Sequence, residues 1–226
     1  MRAFAEIETI AADRHGGAAA LEERVTAHGP GHAGRAEDLP DDRWLAAFSR
    51  FVFSTGLSWN MIEAKWDGFE EAFNGFDVNR CAIMSDDDVD RLLQDKRIVR
   101  HAQKILSVRD NAVFLRDLAA EHGRPAGVVL GTWPSTDYVG LVELLRAKGS
   151  RLGGNTGPMA LRYLGRDSAM FSKDMVAALI REGVIDKAPT SKKALAAVQM
   201  ALNGWMKETG YGLTRISRTL ALSADG

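Results

Sequence analysis

The chain has 226 residues, 46% hydrophobic and 26% charged, with a formal net charge of −1. That composition suits a core-forming globular protein; it offers no apolar run long enough for a membrane span and no global pull toward nucleic acid. Cys81 is the only cysteine, which excludes an intramolecular disulfide and a multi-cysteine zinc site, and it reads as a buried thiol.

The N-terminal stretch "MRAFAEIETIAADR" is broken by Glu6, Glu8 and Asp13. It therefore lacks an uninterrupted signal-peptide core, and the expected location is the cytoplasm. Residues 1–27 predict one or two helices, followed by the linker "HGPGHAGRAEDLP". His28 and His32 fall in that linker. Gly29, Pro30 and Gly31 between them argue against one helical face, so the pair reads as solvated loop rather than metal ligands.

Pro40 and Asp41 open a helix with Trp44, Phe48, Phe51 and Thr55 along one side. Ile62, Trp66, Phe69 and Phe73 then predict one helix with an apolar stripe, and the three aromatics read as core. "SDDDVDRLL" starts at Ser85, a cap followed by acids in the first turn. A further helix runs through Ile98, His101, Ile105, Val108, Ala112 and Leu115. Pro125 and Gly127 interrupt the pattern, and "TWPST" opens another start. Helices follow on "PMALRYL", on "FSKDMVAALI" with Ser172 or Asp174 as cap, on the stretch after Thr190 and Ser191, and on "LTRISRTLAL". No period-2 strand appears, so the fold class is all-α. The expected organisation is an N-terminal helical segment and linker over 1–40, then a helical domain over 41–226.

The stretch "RLGGNTGPMALRYLG" (151–165) stands out between two helical patterns. Gly153, Gly154 and Gly157 can bring bare backbone amides to a surface, and the helix behind them offers more at its positive end. From Arg146 to Lys173 the chain carries Arg146, Lys148, Arg151, Arg162, Arg166 and Lys173 against one acid, Asp167. Such a surface suits a phosphate. The same spacing also fits a tight corner in which glycines only let two helices approach.

"LGGNTGPMA" (152–160) resembles the helix-hairpin-helix signature of DNA glycosylases, with Leu152, Gly154 and Ala160 in register and Gly153, Asn155 and Thr156 departing from it. "TGLSWNMIEAKWDGFEEAFNGFD" and "MSDDDVDRLLQDKRIVRHAQKI" are similar to the bacterial DNA-3-methyladenine glycosylase I family, from about Trp44 to Leu115. The resemblance implies a two-lobed helical glycosylase with its helix-hairpin-helix at about 141–165. It also implies a monofunctional enzyme that flips and excises alkylated purines from double-stranded DNA.

Residue by residue, the resemblance implies a catalytic carboxylate at Asp174, which stands beyond the hairpin at a helix start. A bare cap is the other reading of that residue. Trp59 of "GLSW" matches an aromatic of the family's base pocket, with an ordinary core Trp as the alternative. Glu63, one turn on, is a candidate for pocket polarity or simple surface. The hairpin from Leu152 through Gly153, Gly154, Asn155, Thr156 and Gly157 would hold DNA phosphates, with Arg151 and Lys173 adding charge. Pro158 stands where strand-cutting members carry Lys, which implies no lyase step. The family's cysteine-and-histidine zinc site has no counterpart, so no metal cofactor is expected, although superfamily hairpins also hold a monovalent cation. Phe51 replaces a family Glu. The expected partner is damaged duplex DNA, bound by a monomer without a membrane. A non-catalytic helix-hairpin-helix DNA-binding or damage-sensing protein is the competing function, and a helical interaction protein is a third.

Overall fold

The computed structural model describes residues 1–27, 31 and 34–224; His28 and His32 lie outside the described residues. Fourteen α-helices follow one another and no strand occurs among the described residues. In chain order they are α1 (Phe4–His15), α2 (Ala18–Thr26), α3 (Asp41–Ser54), α4 (Trp59–Glu63), α5 (Trp66–Ala72), α6 (Val78–Ala82) and α7 (Asp86–Gln94). Then come α8 (Ala102–His122), α9 (Ala126–Gly131), α10 (Tyr138–Lys148), α11 (Thr156–Tyr163), α12 (Lys173–Arg181), α13 (Lys192–Thr209) and α14 (Leu213–Leu222). The all-α expectation is met.

Local chemistry sets the ends. Ser85 and Asp88 form a reciprocal capping box at α7, satisfying amides that the first turn leaves unpaired. Ser191 caps α13 by accepting from the Ala194 amide. Asp41 sits in the first turn of α3, and its carboxylate also accepts from the Ala126 and Gly127 amides at 3.0 and 2.7 Å. That contact fixes α9, a short helix built across the Pro125 and Gly127 interruption.

The single helix expected through Ile62, Trp66, Phe69 and Phe73 is two. Lys65 leaves helical geometry at φ −108° and ψ 1°, and its Nζ donates to the Lys96 carbonyl at 3.0 Å. The break turns Phe69 edge-on to Phe53, with ring centroids 4.6 Å apart. Phe69 and Phe73 are buried. Trp66 is only half-buried, and the Arg50 guanidinium covers its face at 3.7 Å. The α8 helix begins at Ala102, because His101 is extended and acts as its cap residue.

The chain divides into two compact units. One comprises Met1–Gly31, Pro134–Gly140 and Asp167–Gly226. Its core joins α1, α12, α13 and α14 around Phe4, Trp205, Leu213 and Ile216, all fully buried. Phe4 and Trp205 rings lie 6.0 Å apart. Asp167 accepts from the Leu213 and Thr214 amides at 2.7 and 2.8 Å, which caps α14. The other unit comprises His32–Trp133 and Leu141–Arg166. There α3 packs on both α8 and α11, and α6 packs on α8. Trp44, Phe48, Phe53, Ile105 and Leu115 fill its centre.

Candidate functional site

The hairpin between α10 and α11 belongs to the second unit, and its glycines have distinct roles. A side chain on Gly149 would strike Leu152 Cδ1 at 2.6 Å, and one on Gly157 would strike the Leu152 carbonyl at 2.7 Å. These two glycines let the backbone close around Leu152, which is fully buried. Gly154 has nothing within 4 Å but sits at φ +61°, where side chains are strained. Arg151 adopts φ +63° without being a glycine, so this hairpin stores backbone strain.

Two hairpin amides are already committed. The Thr156 amide donates to the Gly153 carbonyl at 3.3 Å and the Gly157 amide to the Leu152 carbonyl at 3.1 Å. Pro158 has no amide hydrogen. The Gly153 and Gly154 amides make no hydrogen bond among the described residues, so these are the backbone donors the turn presents. Asn155 and Thr156 are half-buried beside them.

The hairpin is tied to α8 by a side chain that the sequence patterns did not single out. Asn111, fully buried, donates to the Ser150 carbonyl at 3.0 Å and accepts from the Ser150 amide at 2.8 Å. Lys104, Ser107 and Asn111 are all buried polar residues on one side of α8. Their i, i+3, i+7 spacing was the available signal, a polar row within a helix read only for its apolar one.

Trp59 opens α4 after the Ser58 cap and is half-buried. Its ring lies 5.2 Å from Phe51 and 6.1 Å from Tyr163 of α11, and Phe51 lies 5.6 Å from Tyr163. The "GLSW" turn and the hairpin helix therefore share one aromatic cluster. Neither Tyr163 nor Arg50 stood out in the sequence. Arg50, almost fully buried, pairs with Glu63. Glu63 is thus an exposed carboxylate held by an ion pair.

A cavity of about 680 Å³ joins the same two segments. Gly56 and Leu57 line one side, Arg151, Gly153 and Thr156 another, and the α8 entry with His101 and Lys104 a third. Lys104 Nζ donates to the Phe53 and Thr55 carbonyls at 2.9 and 2.6 Å, where α3 ends. Burial, and then the nearby Arg151, pull the Lys104 ammonium below its usual range.

Asp174 and Lys173 belong to the first unit. Both are exposed in the first turn of α12. The cap is Ser172, whose hydroxyl accepts from the Met175 amide at 3.1 Å; Asp174 is therefore inside the helix and not its cap. This frees the carboxylate from a capping duty and leaves it at the positive end of the helix dipole. Cys81 is buried and its Sγ donates to the Phe73 carbonyl at 3.5 Å; burial and Asp77 push the thiol up to about 12. No helix among the described residues is long and apolar enough to cross a membrane.

The all-helical fold is similar to that of a solved 3-methyladenine DNA glycosylase I. A 3-methyladenine DNA glycosylase I from Staphylococcus aureus, solved to explain 3-methyladenine recognition, aligns over 64% of this chain and 85% of its own, at 19% identity and a TM-score of 0.52. That likeness shows the fold. Residues 41–137 match the family described as Methyladenine glycosylase. DNA-3-methyladenine glycosylase 1 of Escherichia coli K12 is 40% identical over 57 residues, 25% of this chain and 30% of that protein. DNA-3-methyladenine glycosylase of Haemophilus influenzae is 35% identical over 57 residues, 25% of this chain and 31% of that protein. The chain thus spans under a third of the length of the curated relatives it matches.

Proposed function

We propose that the protein is a monofunctional DNA glycosylase that excises alkylated purines such as 3-methyladenine from duplex DNA in base-excision repair. The observation that carries this is the match of residues 41–137 to the Methyladenine glycosylase family. The S. aureus enzyme of the same fold is described by its recognition of 3-methyladenine, and the base class is taken from there. Placement in the wider helix-hairpin-helix superfamily rests on "LGGNTGPMA" and is part of the same proposal.

The chemistry asks little of the protein. The alkylated purine is already cationic in DNA, so the C1′–N bond breaks with its electron pair returning to the ring, and the base leaves neutral. Water bonds to C1′ through an oxocarbenium-like state. A carboxylate stabilises that cation and takes the water proton; we assign this to Asp174. No cofactor is required for that step, and a monovalent cation at the hairpin would serve only phosphate binding. Trp59 offers a half-buried ring for stacking a flipped base, which offsets part of the few kcal/mol that flipping costs. Glu63 supplies polarity nearby, through its pair with Arg50. The amides of Gly153 and Gly154 hold phosphate, with Leu152, Asn155, Thr156 and Gly157 shaping the turn. Arg151 and Lys173 add charge, and Pro158 leaves no lysine for strand cleavage. A monomer acting in the cytoplasm completes the proposal.

The second reading, a non-catalytic DNA-binding or damage-sensing protein, is favoured by Phe51, whose ring packs on Trp59 where the resembled family carries Glu. Base release separates the two. On methylated duplex, Asp174→Asn is expected to lose at least about a hundredfold of the wild-type rate, the scale of a general base. Near-normal release by Asp174→Asn removes Asp174 from the mechanism. Binding without release by the wild type favours the sensor.

A further inference from the structure

Several arginines elsewhere in this chain are neutralised. Arg43, Arg50, Arg97, Arg181 and Arg215 each pair with a carboxylate. The cavity beside the hairpin gathers bases that are not. Arg100, His101, Lys104 and Arg151 line it, and no carboxylate does. No hydrogen bond or ion pair is made by the side chains of Arg100, His101 and Arg151 among the described residues. Lys104, 6% exposed, spends two N–H groups on carbonyls and has no further acceptor among the described residues.

Holding like charges together in a partly enclosed space is unfavourable. The repulsion from Arg151 on the buried Lys104 ammonium is one measure of it. Arg151 reaches this place through a left-handed backbone conformation that an L-residue adopts only at a cost. The first turn of the 21-residue α8 also opens here, without a side-chain cap, so its positive end faces the same cavity. The clustered positive charge and the helix end disfavour a cation and stabilise an anion.

We propose that this cavity is a phosphate site, formed by Arg100, His101, Lys104 and Arg151, which is additional to the amides at the hairpin tip. In such a site the guanidinium forks of Arg100 and Arg151 would hold oxygens in pairs, and Lys104 would supply a point donor. The proposal rests on the nucleic-acid reading above for the source of the phosphate, a DNA strand; free phosphate or a mononucleotide carries the same chemistry. Because Lys104 also grips the carbonyls of Phe53 and Thr55, an anion there would be linked to the turn that leads into Trp59.

The test is a thermal-midpoint titration of the full chain with inorganic phosphate, at ionic strength fixed with chloride. Wild type, Arg100→Ala and Arg124→Ala are compared; Arg124 is exposed and outside the cavity. The wild type and Arg124→Ala are expected to show a saturable rise, and Arg100→Ala about a tenfold weaker apparent affinity, one charge-assisted contact. An equal response in Arg100→Ala, or none beyond chloride in the wild type, overturns the site. Competition by a short unmodified duplex assigns the source: displacement of phosphate supports a strand, and persistence of phosphate at saturating duplex supports a free ligand. Base release without any phosphate response overturns this site alone, whereas phosphate binding without base release overturns the glycosylase reading alone.

Discussion

Arg151 concentrates the trade between stability and binding in this protein. Its φ of +63° suits glycine, and a side chain there is disfavoured by about 1 kcal/mol. Arg151→Gly is therefore expected to raise the urea-unfolding free energy by roughly 0.5–1 kcal/mol. The same variant is expected to weaken duplex binding and reduce the slope of log affinity against log salt by about one. Gly157 behaves in the opposite way. A Cβ there would lie 2.7 Å from the Leu152 carbonyl, so Gly157→Ala is expected to cost about 2 kcal/mol or more by overpacking, visible as a lower urea midpoint. The glycine density of this turn was legible in the sequence. Which glycine closes the backbone and which presents an amide was not, since that depends on where Leu152 and Leu145 lie around it.

Among the elements, the caps were the most legible because their chemistry is local. Ser85, Ser172 and Ser191 each accept from the amide three residues on. Ser172→Ala is expected to destabilise by about 1 kcal/mol, and it loosens the turn that carries Asp174. Urea unfolding measures the first effect, and base release without loss of duplex affinity would reveal the second. The break between α4 and α5 was not legible. The stripe through Ile62, Trp66, Phe69 and Phe73 satisfies helical spacing on paper, but the break falls at Lys65, whose Nζ meets the Lys96 carbonyl of a segment 31 residues away. Lys104 and Asn111 were hidden for a related reason. A polar residue within an apolar helix reads as solvent-facing unless its buried acceptors, the Phe53 and Ser150 carbonyls, are known.

For the whole molecule, the all-helical class followed from periodicity, while the pairing of distant segments did not. Periodicity tells which face of a helix is apolar; it does not tell which remote face will cover it. Met1–Gly31 shares a unit with Asp167–Gly226, held by Phe4 against Trp205 and by Arg2 on Glu182. The Glu182 carboxylate, 1% exposed, takes Arg2 at 2.8 Å and Arg181 at 2.9 Å. Burial raises its pKa, but Arg181 and Arg2 more than offset this and hold it below 4.5. A carboxylate depressed in the folded state stabilises above its unfolded pKa and loses that contribution as pH falls through the folded value. Glu182→Gln is expected to lower stability at neutral pH by about 3 kcal/mol and to flatten the acid limb of the stability profile.

Hydrolysis of an N-glycosidic bond in DNA is read out by product analysis after incubation with a methylated duplex. Free 3-methyladenine is expected in the soluble fraction, together with a strand that stays intact until alkali cleaves it at the abasic sugar. Release no faster than in protein-free buffer, with the duplex bound, would contradict it.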